Sequence, residues 1–127
     1  MRLLLDTHIA LWAVLAHPKL PKRAHEIMLA ADAVYVSAAS VWEIAIKNAR
    51  SRARMPITGS QALAEFHAAG FALLPISAEH AAAVDALPNL HRDPFDRILI
   101  AQALSEPLRL LTRDALLEKY SDIVLRV

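Results

Sequence analysis

Leu3-Leu4-Leu5-Asp6-Thr7-His8-Ile9-Ala10-Leu11-Trp12 decides how the rest of the chain is read. Three consecutive leucines with no polar alternation suit a short strand buried on both faces, as in a parallel sheet. Asp6 stops that run. Beyond it Ile9, Leu11, Trp12 and Leu15 recur at helical spacing from Thr7 to Ala16. A buried strand followed by a carboxylate and then a helix opens a βα unit, and in open sheets that end of a strand borders the ligand crevice.

The same alternation continues along the chain. Pro18 and Pro21 bracket a turn, and Lys22 to Ala31 follows as a helix with Ile27, Met28 and Ala31 facing inward. Val34-Tyr35-Val36 is β-rich and predicts a second strand. Ser37 or Ser40 can cap a helix that runs through Trp42 and Glu43 to Arg50. Residues 51–59 lose periodicity and hold Pro56 and Gly59, which predicts a loop. Ser60 to Ala69 is a helix stopped by Gly70, and Phe71 to Ile76 a strand. Ser77 caps a helix over Glu79 to Leu87, and a polar loop, Pro88 to Asp93, leads to a helix begun by Pro94 and stopped before Pro107. Leu108 to Thr112, Arg113 to Lys119 and Ile123 to Val127 complete the pattern as strand, short helix and strand. Strands alternating with helices predict a parallel sheet with helices on both faces, in one domain over residues 1–127.

Composition removes several function classes. Of 127 residues 56% are hydrophobic, with only 2 glycines, which argues against a disordered or linker-like chain. The absence of cysteine rules out a disulfide scaffold, a thiol nucleophile and any Cys-based zinc or iron–sulfur centre. A net charge of +1 means that bulk charge does not drive nucleic-acid binding, although a local patch still can. Asp6 interrupts the leucine run far short of a signal sequence, and no stretch is apolar enough to span a membrane. A soluble, cytoplasmic protein is the expectation.

Carboxylates fall where such a fold places its crevice. Asp6 follows the first strand directly and Asp114 follows the fourth by two residues. Glu43 lies about two turns into the helix after the second strand, and Asp93 and Asp96 flank the start of another helix. If these ends converge, the acids repel one another unless cations fill the space. Hard oxygen donors without cysteine, and without a helical histidine pair, favour Mg²⁺ or Mn²⁺ over zinc. An ion so held keeps waters, activates one as a nucleophile and neutralises phosphoryl charge, which makes phosphodiester hydrolysis the natural chemistry.

Each acid also has a purely structural reading. Asp6 and Asp93 could be N-caps, the latter followed by Pro94 and by Asp96 at the third helical position. Asp114 could complement a helix dipole. Glu43 sits between Trp42 and Ile44 and could simply pair with Lys47 four residues on.

Taken together and in order, four blocks resemble the PIN domain, and in particular the VapC-type toxins of bacterial type II toxin–antitoxin pairs. They are Leu4-Leu5-Asp6-Thr7-His8, the run Val36 to Ile44, the run His91 to Ala103, and Leu111-Thr112-Arg113-Asp114. The resemblance implies a three-layer α/β/α domain with a central parallel sheet of four to five strands, and an acidic pocket for Mg²⁺ or Mn²⁺. It assigns Asp6, Glu43 and Asp96 as the core metal acids, Asp114 as the fourth and Asp93 as an acid at the pocket edge. Thr7 and Thr112 correspond to hydroxyls that support the first and last acids. The implied activity is endoribonuclease action on structured RNA, often transfer RNA, by activated water and not by the neighbouring 2′-hydroxyl. A VapB-type antitoxin would wrap the chain with an extended segment and can push a basic side chain into the pocket. Homodimers are common in the family, and apolar surface near the N-terminal helices would favour one here. Where relatives tend to have a glycine-containing turn after Lys47, this chain has Asn48 to Arg54.

A different enzyme on the same acids, a metal phosphatase or a DNA nuclease, and a non-catalytic binding module remain the alternatives. Lys47, Arg50, Arg52 and Arg54 form the one basic cluster, suited either to RNA phosphates or to a solvated helix end. Arg97 could pair with a site carboxylate or a substrate phosphate. None of the six histidines has a metal-binding spacing, and His8 is read as structural. Trp12 and Trp42 are expected in the core.

Overall fold

The computed structural model describes all 127 residues. Its strands are β1 (Arg2–Leu5), β2 (Ala33–Ser37), β3 (Ala72–Leu74), β4 (Arg109–Thr112) and β5 (Val124–Arg126). They form a single sheet in the order β3-β2-β1-β4-β5, with every pairing parallel. The helices are α1 (Thr7–Val14), α2 (Lys22–Ala30), α3 (Ala38–Arg50), α4 (Gly59–Ala68), α5 (Ala78–Ala83), α6 (Pro94–Ser105) and α7 (Ala115–Glu118). The expected α/β/α layering and strand number are what the chain adopts.

The leucine run explains the layering. Leu3, Leu4 and Leu5 have no exposed surface, yet they face opposite ways because side chains alternate along a strand. Leu3 and Leu5 join Ile9, Ile44, Phe66 and Leu111 in one core, against α1, α3 and α4. Leu4 joins Leu99, Ile100, Leu110 and Leu117 in a second core, against α6 and α7. β1 is central: the chain leaves it toward β2 on one side, while from its other neighbour, β4, it runs outward to β5. That divergence is the topological switch point, so the crevice opens where Asp6 follows β1.

Several local expectations shift. Ser37, not Ser40, caps α3, its hydroxyl accepting from the Ala39 amide at 3.0 Å. Gly59 begins α4 instead of lying in the preceding loop, because Thr58 and Gln61 form a reciprocal capping box. A side chain at Gly59 would put its Cβ 2.9 Å from Ala45 Cβ, so the glycine allows α4 to lie close against α3. Gly70, at φ 80°, ends α4 in the left-handed conformation expected of a helix stop. α5 is shorter than predicted and passes into a 3₁₀ turn at Val84–Ala86.

Trp42 corrects the core assignment: it is 61% exposed. It packs edge-on against Phe95 of α6, with ring centroids 5.3 Å apart, and borders an apolar groove beside Leu63 and Pro75. Helical spacing identifies an apolar face but does not say whether another layer covers it. Trp12 is half-buried, between His17 and Arg113. No helix is long and apolar enough to cross a membrane.

Candidate functional site

Three of the acids are placed by helix starts. Asp6 continues the sheet, its amide donating to Leu111 O at 3.0 Å, and its Oδ1 accepts from the Ile9 amide at 2.9 Å to cap α1. Asp93 caps α6 by accepting from the amides of Phe95 and Asp96 at 2.8 and 3.3 Å. Asp114 caps α7, accepting from the Leu116 amide at 2.9 Å. In each case Oδ1 serves the cap and Oδ2 is left for another partner, so capping and a pocket role are compatible. The other two acids stand inside helices: Glu43 on α3 is 4% exposed, and Asp96 lies in the first turn of α6.

All five line one cavity of about 110 Å³, together with Thr7, His8 and Lys47, and no hydrophobic residue reaches it. Glu43 and Lys47 pair at 2.5 Å, as i,i+4 spacing allows, but the carboxylate is buried in the pocket while the ammonium is half-exposed. Thr112 donates its hydroxyl to Asp6 Oδ2 and accepts from the Asp114 amide at 3.0 Å. One buried threonine thus holds the ends of β1 and β4 in register with both acids. Thr7 differs from the expectation for a supporting hydroxyl. It donates to Ser40 Oγ at 2.8 Å and fastens the start of α1 to α3.

His91 joins the site without having been marked as a site residue by spacing. Its Nδ1 accepts from the Asp93 amide at 3.1 Å, which leaves the proton on Nε2. Nε2 lies 3.1 Å from Asp114 Oδ2 and 3.2 Å from Asp96 Oδ2. Ligand atoms of His91, Asp96 and Asp114 all fall within 4.8 Å of one another. The available signal is its position two residues before a capping aspartate, where a ring nitrogen can accept the cap's own amide. Arg97 is turned elsewhere: it donates to Pro88 O at 3.0 Å and reaches the Tyr120 hydroxyl at 3.3 Å, bracing the loop before α6.

The electrostatics follow from crowding acids out of water. Burial, then the charge of Asp93, pushes the Asp96 carboxyl up to about 7, with Asp6 and Glu43 adding to the rise and His91 opposing it. Burial likewise raises Asp6, against the lowering effects of Thr112 and the Ile9 amide. Lys47 is the one Lys or Arg lining the cavity, too little to balance five carboxylates. Oxygen donors with one imidazole beside them, short of positive charge, fit a hard divalent cation.

This arrangement fixes a pH dependence for the metal-free chain. Unfolded, Asp96 titrates near 3.8, whereas folded it keeps its proton to about 7. Between those values the native state binds more protons, so its stability falls as pH rises. In EDTA, the melting temperature should drop from about pH 5 to pH 8, and the drop should be smaller in Asp96→Asn. An equal drop in both proteins would place the titration elsewhere.

A parallel α/β domain that gathers five carboxylates at the switch point of its sheet defines a class of acidic-pocket proteins suited to divalent cations. The PIN domain family model matches residues 3–123, and the chain belongs to the PIN domain family. No curated protein sequence is significantly similar to it. Solved structures are. A chain of VapBC2 from Rickettsia felis, bound to a fragment of promoter DNA, is 16% identical with a TM-score of 0.73, covering 100% of this chain and 99% of that one. A chain of DNA-bound VapBC from Salmonella typhimurium is 14% identical with a TM-score of 0.69, covering 100% and 97%. A chain of a toxin–antitoxin complex from Klebsiella pneumoniae is 22% identical with a TM-score of 0.62, covering 96% and 94%. At these identities the likeness is one of fold.

Proposed function

We propose that this PIN domain is a Mg²⁺- or Mn²⁺-dependent endoribonuclease and the toxin of a type II toxin–antitoxin pair, acting in the cytoplasm on structured RNA such as transfer RNA. The observation that carries the reading is the meeting of Asp6, Glu43, Asp96 and Asp114 around one wholly polar cavity. A non-catalytic module would account for Asp6, Asp93 and Asp114 as caps. It leaves the meeting of buried Glu43 and partly buried Asp96 in one pocket without a reason.

Asp6, Glu43, Asp96 and Asp114 would hold the ion, with Asp93 at the edge. Bound there, Mg²⁺ or Mn²⁺ supplies a charge that neutralises a phosphoryl oxygen and acidifies a water. The protein's part is to keep its donors fixed. Thr112 orients Asp6, the three caps lock carboxylate rotamers, and Lys47 sets the direction of Glu43. Asp96 would have to be deprotonated to serve as a donor, so affinity for the ion should rise with pH through about 7.

Support for an antitoxin partner comes from the similar structures, two of them VapBC assemblies and one a toxin–antitoxin complex. A small acidic cavity also suits a single inserted cationic side chain, the form of inhibition expected for the family. For the homodimer, the exposed apolar face around Trp42 and Leu63 is a second candidate beside Leu15 and Leu29 of the N-terminal region. The substrate class is tested by offering RNA, DNA and a small phosphate ester with Mn²⁺. Cleavage confined to RNA supports the reading. Hydrolysis of DNA or of the ester alone would replace it with a DNA nuclease or a phosphatase.

A further inference from the structure

A five-carboxylate pocket repels the very polyanion that a nuclease must bring to it. A bound divalent ion offsets that repulsion for the phosphate at the ion, but the neighbouring phosphates of the same strand still need a cationic path. A groove of about 670 Å³ abuts the pocket, lined by His8, Lys47, Arg50, Ser51, Arg54 and Met55. His8 and Lys47 belong to both cavities, so the two are continuous. We infer that this groove is a flanking-phosphate subsite, in which Arg50 and Arg54 hold a single RNA strand one or more nucleotides from the cleaved bond. The inference rests on the nuclease reading above and gives that site its substrate class, a polynucleotide and not a mononucleotide.

The two guanidinium groups are available for the task. Neither takes part in an ion pair or a side-chain hydrogen bond, whereas Lys47 is engaged by Glu43. Their backbone is held, although it lacks the glycine turn expected of relatives. α3 ends at Arg50 with Ser51 as an extended cap at φ −159°, so no left-handed residue is needed. The Asn48 side chain donates to Met55 O at 2.8 Å, and the Met55 amide donates to Ser51 O at 3.0 Å, closing the turn that carries Arg54. Met55, 6% exposed, anchors the turn in the core beneath. Arg52 belongs to the same turn and carries the same charge, but it does not line the groove. Neither does Arg97.

Binding is measured by anisotropy with a fluorescein-labelled oligouridylate of about 12 nucleotides, in Mg²⁺ and in an Asp96→Asn background that does not cut it. Arg50→Ala/Arg54→Ala should weaken binding at least about tenfold and lessen the log–log salt slope by about 1.4, two contacts at roughly 0.7 each. Arg52→Ala should change affinity less than about twofold. Equal losses in Arg52→Ala would mean diffuse charge and overturn the subsite, as would an unchanged double variant. So would the absence of RNA binding, or tighter binding of labelled polyglutamate, which would assign the groove to an acidic polypeptide. Because binding is read without cleavage, a failed subsite is distinguishable from a failed nuclease, which shows instead as an inactive wild-type chain.

Discussion

Asp96→Asn is expected to lower RNA cleavage at least about 10³-fold, roughly 4 kcal/mol of transition-state stabilisation, while the chain stays folded. The substitution is nearly isosteric and removes one carboxyl group from a pocket that holds five. Asp96 makes no helix cap of its own. The metal-free protein should therefore be no less stable than wild type at pH 8, and the folded fraction by circular dichroism should be unchanged. Glu43→Gln should be as inactive, but it also dissolves the pair with Lys47, so its fold is checked separately by the same spectrum. Asp93→Asn is the contrasting case: asparagine caps helices about as well as aspartate, and the residue sits at the edge of the pocket. Its loss of activity should be markedly smaller. An Asp96→Asn protein with wild-type activity would remove this residue from the site.

Mn²⁺ should raise the melting temperature substantially. An ion that binds only the folded state stabilises it by about 2.7 kcal/mol when present at 100 times its dissociation constant. For a domain of this size that corresponds to a shift on the order of 10 °C. Part of the effect is relief of repulsion already present, since Asp6 and Asp96 are both held above their usual range by burial and neighbouring acids. The shift should therefore shrink at acid pH, where the ion competes with protons. It should be clearly smaller in Asp96→Asn, which has lost one of the four donors. A shift of equal size in that variant would mean that the ion binds away from the pocket.

Much of this molecule is readable from period and spacing. The leucine run fixes a two-sided strand, and the acids at strand ends fix where the crevice is acidic, because both follow from backbone geometry alone. What is not readable depends on contacts between distant segments. Nothing local to Thr7 shows that Ser40 is its partner, and nothing local to Arg97 shows that Tyr120 and the Pro88 carbonyl occupy it. Trp42 illustrates the limit from the apolar side: its helical phase is right for a core, but no layer lies over that part of α3. For Asp6, Asp93 and Asp114, cap and site look like rival roles in the sequence because spacing does not count oxygens. A carboxylate has two, and one suffices for the cap.

The most direct measurement is incubation of total cellular RNA with the purified chain, in Mn²⁺ and in EDTA, beside Asp6→Asn. The asparagine introduced by that substitution can still cap α1, so the control removes a carboxylate from the pocket without removing the helix start. Discrete RNA fragments that require Mn²⁺ and are missing with the variant are the expected result. Fragments that persist in EDTA, or that Asp6→Asn produces as well as the wild type, would contradict a metal-dependent nuclease built on these acids.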